Sequence, residues 1–507
     1  MEYFGTFLQS VSLGLDTALL PVNLFYCFVG VLVGTLVGVL PGIGTLAALS
    51  LVFPLTFHLP ATTALIMLSG IWYGTLYGGS VASVLLNVPG TPSTVVICIE
   101  GYPMAKQGRA GVALFMSAVA SFFGATSGIV MTMLLSPYFV SYGLSFGAAE
   151  YFSLMLLGLV AASTIGTGAP LKSFAMVLLG LILGTVGMDI FTGQSRMTFG
   201  IMPLRDGISL VALAMGVFGV SEVIASVRTV RGGEVDRSSV KLRAMIPTRE
   251  DIRRSWLPMI RGTGIGSFFG ILPGTGPTVA SFMAYAIEKK VTRHPERFGK
   301  GAIEGIAAPE SANNAADQTA FIPTMTLGIP GSPTMAIMLG AMMIQGIAPG
   351  PMMMSSHPDL FWGLIMSFWI GNIMLLLLNI PLIGIWVRLL TIPYHLLYPA
   401  ILMFICIGVY SVNNDSFDVW VVLFFGAVGY AMRLADLPSA PLLLGFVLGP
   451  LVEENFRRAM ILARGEPATF IERPISGTIM TITFLLLAWG VWRTARGRRA
   501  NGMSARV

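Results

Sequence analysis

Apolar positions run along this chain in long blocks, near residues 23–40, 61–86, 111–135, 173–191, 207–226, 262–287, 318–345, 359–389 and 475–492. Shorter blocks fall at 45–57, 150–163, 398–411, 418–432 and 441–452. About 20 helical residues cross a bilayer core, so the short blocks fall below a full crossing. Several blocks are also cut by Gly and Pro. A backbone break in lipid leaves N–H and C=O groups unpaired, at several kcal/mol each unless protein or water satisfies them. The pattern predicts an all-α polytopic membrane protein with about ten to thirteen transmembrane segments, some of them Gly/Pro-broken helices or re-entrant hairpins. The first nineteen residues differ. Phe4, Phe7, Leu8, Val11, Leu15, Ala18 and Leu19 recur at helical spacing opposite Glu2, Gln9 and Asp16. That pattern suits an amphipathic helix over 1–19, lying in the membrane interface or packing on the bundle.

Composition narrows the class. Of 507 residues 55% are hydrophobic and 11% charged, with mean hydropathy +0.80. Soluble domains carry roughly 25% charged residues, so this chain cannot cover a water-exposed surface. Disordered, nucleic-acid-binding and secreted disulfide classes are excluded by the same figures. Cys27, Cys98 and Cys406 are far apart, as are His58, His294, His357 and His395. No HExxH, CxxC or GxxxxGK[ST] pattern occurs, so neither a metal centre nor an ATP site is expected, and no nucleophile–base set marks an enzyme. Met1-Glu2-Tyr3 lacks the positive start of a cleavable signal peptide.

Charge sets a topology. Residues 1–105 hold no Lys or Arg, whereas nine lie from Arg228 to Arg261, and Arg493, Arg496, Arg498, Arg499 and Arg506 crowd the tail. Basic residues collect on the cytoplasmic side, so the central loop and C-terminus read as cytoplasmic and the N-terminus as periplasmic.

An internal repeat organises the chain. Residues 34–44, GTLVGVLPGIG, match 266–276, GSFFGILPGTG, at an offset of 232 residues. Further on, Val88-Pro89-Gly90-Thr91-Pro92-Ser93 matches Ile329-Pro330-Gly331-Ser332-Pro333-Thr334, at an offset of 241. The second copy follows the basic loop and the first follows a stretch without cations, so the copies enter from opposite sides. The expected architecture is two inverted-topology repeats, 20–230 and 256–474, around a cytoplasmic basic loop at 231–255, with a C-terminal transmembrane helix and basic tail over 475–507. Parallel repeats are the alternative. Paired broken segments at matching positions of two repeats point to a midplane binding site.

The breaks carry the candidate chemistry. Gly42, Gly44, Gly274 and Gly276 let backbone approach a ligand, and a helix restarting beyond them presents free N–H groups and a positive dipole end. Gly90, Thr91, Ser93, Thr94, Gly331, Ser332 and Thr334 add hydroxyls to the same device, either as solute contacts or as plain helix caps. Asn87 precedes the first of these segments. The polar run Glu310–Thr319 supplies Asn313 and Asn314 as solute contacts and Asp317, Asn314 and Thr319 as ion-coupling candidates, since a carboxylate at membrane depth costs at least ~2.5 kcal/mol unless paired or hydrated. A polar helix start with Asp317 facing water is the competing reading.

These stretches, with Asn87-Val88-Pro89-Gly90-Thr91-Pro92, Glu310-Ser311-Ala312-Asn313-Asn314-Ala315 and Leu327-Gly328-Ile329-Pro330-Gly331-Ser332-Pro333, resemble the large membrane subunit of the tripartite tricarboxylate transporters, the TctA-like proteins. The resemblance covers roughly residues 20–460. It implies uptake of di- or tricarboxylates such as citrate across the bacterial inner membrane, coupled to Na+ or H+ without another cofactor. It also implies two partners, a small four-span membrane subunit and a periplasmic substrate-binding protein. The residues alone lead to an inverted-repeat secondary transporter for an anion; a stand-alone symporter or an anion channel is the alternative.

Overall fold

The computed structural model describes residues 2–40, 44–165, 169–189, 191–229, 242–390 and 394–504. Gly42 and the part of the basic loop at 230–241 lie outside the described residues. The described chain is almost wholly helical, with one short hairpin of β1 (Gly187–Met188) and β2 (Ser195–Arg196). The first half holds α1 (Glu2–Ala18), α2 (Pro21–Val39), α3 (Thr45–Val52), α4 (Ala61–Leu86), α5 (Val95–Met104), α6 (Ala110–Gly143), α7 (Ala148–Ile165), α8 (Pro170–Gly184), α9 (Leu210–Ala214) and α10 (Ser221–Thr229). The second holds α11 (Arg249–Ile271), α12 (Gly276–Val291), α13 (Glu304–Thr319), α14 (Phe321–Leu327), α15 (Pro333–Ile344), α16 (Met353–Ser356), α17 (Pro358–Asn379), α18 (Ile383–Leu389), α19 (Tyr394–Asn413), α20 (Ser416–Leu434), α21 (Ser439–Leu462), α22 (Thr469–Glu472) and α23 (Pro474–Ser504).

Among the described residues five stretches are long and apolar enough to cross a membrane: Pro21–Val39, Pro92–Gly143, Pro358–Asn379, Ser416–Leu434 and Pro474–Trp492. Six shorter apolar helices, among them Pro170–Gly184 and Pro333–Ile344, must supply further crossings in pieces. The protein is a multi-pass helical membrane protein whose spans are partly composite. The N-terminal helix α1 lies along α17, with Gly14 against the Trp362 backbone and Phe7 edge-on to the Trp362 ring at 5.8 Å.

The tightest packing is backbone on backbone. Gly30, Gly34 and Gly38 of α2 face Met67, Ile71 and Thr75 of α4, and Gly70, Gly74 and Gly78 of α4 return the contact. A Cβ on any of α2's three glycines would stand less than 3.0 Å from a carbonyl oxygen of α4. The facing partners advance together, so α2 and α4 run parallel and the chain between them returns through α3. The second half repeats the device: Gly262, Gly266 and Gly270 of α11 meet Ala308, Ala312 and Ala316 of α13. Small residues at four-residue spacing substitute close van der Waals packing for the hydrophobic drive that lipid cannot provide. Across the halves α4 and α13 run antiparallel, because Tyr73 reaches Gln318 at 3.4 Å while Ser80, two turns further along α4, reaches Glu310. The cross-contacts are reciprocal: α3 packs on α15, and α12 on α5 and the turn before it.

An aromatic core lies where α4, α14 and α17 meet, with Trp72–Phe321 centroids at 5.2 Å and Phe321–Phe368 at 4.6 Å. Charged pairs stay at the margins of the bundle, as in Arg254–Glu304 at 2.7 Å and Arg109–Asp251 at 2.7 Å.

Gly34→Leu and Gly266→Leu should each destabilise the protein by more than the ~1–3 kcal/mol usual for an overpacked core, because the obstacle is a helix backbone. Gly44→Ala, where a Cβ meets nothing within 4 Å, should leave stability unchanged. Thermal unfolding of the detergent-purified variants measures both.

Candidate functional site

Each half contains two helix breaks, and each break ends in the start of a new helix. α3 begins at Thr45 behind Gly44 as N-cap, α12 at Gly276, α15 at Pro333 behind Ser332. In the first half a 3-10 turn at Pro92–Thr94, capped by Thr91, leads into α5. Proline at the first helical position costs no hydrogen bond there, which is why Pro92, Pro277 and Pro333 sit where they do.

These four helix starts surround one cavity of about 620 Å³. Its wall includes Gly44 and Thr45, Gly90, Thr91 and Ser93, Gly274, Thr275 and Gly276, and Ser332 and Thr334, closed by Trp72 and Leu76 of α4. Two segments sixty residues or more from any repeat motif also contribute: Ser173 near the start of α8, and Ser439 at the start of α21. Among the described residues no Lys or Arg lines the cavity, and the one acid there, Glu222, pairs with Arg433 at 2.7 Å. The electrostatics are therefore those of helix N-termini, each equivalent to roughly half a positive charge with unsatisfied N–H donors.

Thr91, Ser93, Ser332 and Thr334 line the cavity, whereas Thr94 is fully buried and does not reach its wall. Thr91 and Thr94 form a capping box, and Ser93 Oγ lies 3.0 Å from Thr91 Oγ1. Ser332 Oγ accepts the Met335 N–H at 3.2 Å. Such a cap engages only part of the donor set at a helix end.

The glycines have different neighbours from those expected of a solute contact. Gly90 lies against Gly79 of α4, where a Cβ would clash with the Gly79 Cα. At its counterpart Gly331 an added Cβ would meet the Gly270 carbonyl oxygen at 3.2 Å and the Ala320 Cβ at 3.4 Å, so the second site is tight but looser than the first. Gly274 has φ +80, donates its N–H to the Gly331 carbonyl at 3.1 Å and abuts the Ala162 backbone of α7. These contacts stitch break to break and half to half.

Other sequence candidates lie away from the cavity wall. Asn87 ends α4 in the left-handed conformation, φ 58, just as Gly328 ends α14 at φ 69. It is a helix stop, a role Asn tolerates better than most residues. Asn314 Nδ2 bonds the Glu310 carbonyl at 3.0 Å, and Thr319 Oγ1 ties α13 to the Ser267 carbonyl of α11 at 3.2 Å. Both are tied into backbone. Asn313 and Asp317 are each 1% exposed, and none of their side-chain polar atoms has a hydrogen-bond partner. Asp317 does not face water: α13 is buried along its whole length. Gly42 cannot be placed, since it lies outside the described residues.

Sequence reasoning missed Thr45, Thr275, Ser173 and Ser439. Thr45 and Thr275 adjoin the quoted motifs, so the signal was present. Ser173 and Ser439 follow Pro170 and Pro438 at helix starts, and only the tertiary arrangement brings those starts to the breaks.

Discontinuous helices in two matching halves, meeting their N-termini at one cavity, define a polytopic membrane transport protein. The chain belongs to the tripartite tricarboxylate transporter TctA family, whose model matches residues 24–444. It is similar to an Agrobacterium vitis protein described as "Uncharacterized 52.8 kDa protein in TAR-I ttuC' 3'region", 49% identical over 492 residues, 97% of this chain and 98% of the other. A second Agrobacterium vitis protein, "Uncharacterized protein in TAR-II ttuC' 3'region", is 51% identical over 234 residues, 46% of this chain and 97% of its own. No solved structure matches the chain.

The Gly90–Gly79 contact predicts an asymmetry between equivalent positions. Gly90→Ala should lower the unfolding temperature and uptake sharply, whereas Gly331→Ala should lower both much less. Unfolding curves and radiolabelled uptake at matched membrane abundance check this.

Proposed function

We propose that this chain is the solute-carrying subunit of an ion-driven system that takes di- or tricarboxylates, citrate-like anions, across the bacterial inner membrane. The observation that carries the reading is the convergence of four helix N-termini on a cavity lined, among the described residues, by no cationic side chain. Such ends attract carboxylates without placing a bare Lys or Arg at membrane depth. Opposed pairs of ends suit a solute with two or three carboxylates, and Thr91, Ser93, Ser332 and Thr334 would donate hydrogen bonds to it. Membership of the family supports the two partners, a small membrane subunit and a periplasmic binding protein.

The two halves are read as an inverted repeat. The antiparallel packing of α4 on α13, which carry matching breaks, supports opposite orientation, and an inverted repeat allows alternating access by rocking one half against the other. Ion coupling, to Na+ or H+, is assigned to the buried polar face of α13, where Asp317 has no protein partner.

Two measurements test this. In proteoliposomes holding this chain with both partners, Ser93→Ala and Thr334→Ala should each raise the apparent KM for carboxylate uptake about tenfold to hundredfold, the worth of a charge-assisted hydrogen bond of about 1.5–3 kcal/mol. Wild-type kinetics in both, or full high-affinity uptake without the binding protein, would overturn the assignment. For orientation, a membrane-impermeant maleimide should label Glu2→Cys in intact cells, and Arg237→Cys and Ser504→Cys only after permeabilisation. Labelling of all three from one side would exclude the inverted arrangement.

A further inference from the structure

A second buried polar centre lies beside α4, the helix that also walls the solute cavity. α4 turns Trp72 and Leu76 to the cavity, and Tyr77 and Ser80 toward α6 and α13. There Glu310 of α13, 1% exposed, accepts hydrogen bonds from Ser117 at 2.6 Å, Ser121 at 3.3 Å and Ser80. Among the described residues the groups that surround this carboxylate are neutral, the three serine hydroxyls and the neighbouring Asn313 amide, and no Lys, Arg or His pairs with it. A void of about 10 Å³, the room of one water-sized particle, adjoins Ser80 and Ser117. Asn379 of α17 also lines it. Asn379 is 5% exposed, and its Nδ2 donates to the Leu375 carbonyl at 2.9 Å. A carbonyl accepts only from the amide nitrogen, so the orientation is set and Oδ1 is left as a buried acceptor with no partner.

The centre thus gathers acceptors and lacks a positive charge. An unpaired carboxylate and an unbonded amide oxygen are both costly in a low-dielectric interior. A hard cation satisfies both, because such ions take carboxylate, carbonyl and hydroxyl oxygens. A single carboxylate balances one unit of charge, whereas calcium sites draw on six to eight oxygens in roomier cages. We propose that Glu310, Ser80, Ser117 and Asn379 form a binding site for a small monovalent cation of the sodium class, beside the helix α4 that also walls the solute cavity. The serines serve both ions. Each donates its single proton to the carboxylate, Ser80 also lying 3.2 Å from the Leu76 carbonyl, and turns its lone pairs to the cation. The site extends the ion-coupled reading above by placing an ion at a residue two helical turns from Asp317, on the wall shared with the solute cavity. Binding itself does not depend on which solute is carried.

The test is equilibrium binding of radioactive sodium to the purified, detergent-solubilised chain, without solute or partners, at fixed pH. Saturable binding is expected, displaced by unlabelled sodium and not by potassium or choline. Glu310→Gln should abolish it, Asn379→Ala should weaken it on the order of tenfold, the worth of one ligand to a charge, and Asp317→Asn should retain it. Asn379→Ala leaves the three serine bonds intact and carries the test if Glu310→Gln does not fold. No saturable binding by the wild type, wild-type binding in Asn379→Ala with Glu310→Gln, or loss confined to Asp317→Asn would each overturn the site. Sodium binding of the expected kind in a protein that moves no carboxylate would sink the transport reading and leave this site standing.

Discussion

The structure depends on two parallel helix pairs whose backbones touch. Lipid chains are as apolar as leucine, so burying large side chains between spans gains little, and close approach of small residues gains more. Gly30, Gly34 and Gly38 against α4, and Gly262, Gly266 and Gly270 against α13, bring each broken helix to its unbroken neighbour over its full length. That contact fixes the height at which α2 and α11 stop. The Leu-Pro-Gly breaks lie one turn beyond the last glycine of each stripe, so the glycines determine where the interrupted backbone is held. Without the stripes the breaks would be ordinary kinks exposed to lipid, where unpaired N–H and C=O groups are not tolerated.

From that geometry follows the way charge is handled. The cavity wall presents helix ends rather than cationic side chains among the described residues, and several buried acids elsewhere are held in ion pairs with partly exposed arginines. Arg254–Glu304 and Arg261–Glu288 lie on α11, α12 and α13 beside the hydrophilic loops, and both are bidentate. Glu100 is the instructive buried exception. Its carboxylate is fully enclosed yet accepts from the N–H groups of Gly299, Gly301 and Ala302 and from the Tyr285 hydroxyl. Backbone donors of one half thus hold an acid of the other and latch α5 to the entry of α13. Glu310 and Asp317 differ from it in having no such cradle, and that separates a structural acid from one with binding capacity to spare.

The repeat is not a perfect copy, and the differences are physical. Gly79 facing Gly90 is replaced by Ala320 facing Gly331, and the left-handed stop is Asn87 in one half and Gly328 in the other. The first half therefore packs its break more tightly against its long helix. The glycine stripe on α13's side is alanine, which keeps α11 and α13 close while stiffening α13, the helix that carries the polar face. Thr91 and Ser332 do the same capping work in both halves, so the hydroxyl at this position is demanded by the helix start before any solute is considered.

The sequence by itself determined the membrane class, the helical architecture, the two halves and the motifs at which helices break, because each rests on local pattern: apolar length, Gly/Pro interruption and order of motifs. Gly44, Gly90, Thr91, Ser93, Gly274, Gly276, Ser332 and Thr334 were legible for the same reason and do meet at one cavity. The roles of Asn87, Asn314 and Thr319 were not legible, since a polar residue in a span reads alike whether it ends a helix, bonds a carbonyl or faces a ligand. Nor could the chain order reveal that Ser173 and Ser439 reach the cavity, or that Asn379 shares a void with Ser80 and Ser117, the serines bonded to Glu310. Those pairings join helices remote in sequence, and only the packing of α4, α6, α13 and α17 decides which polar atoms find partners and which are left without one.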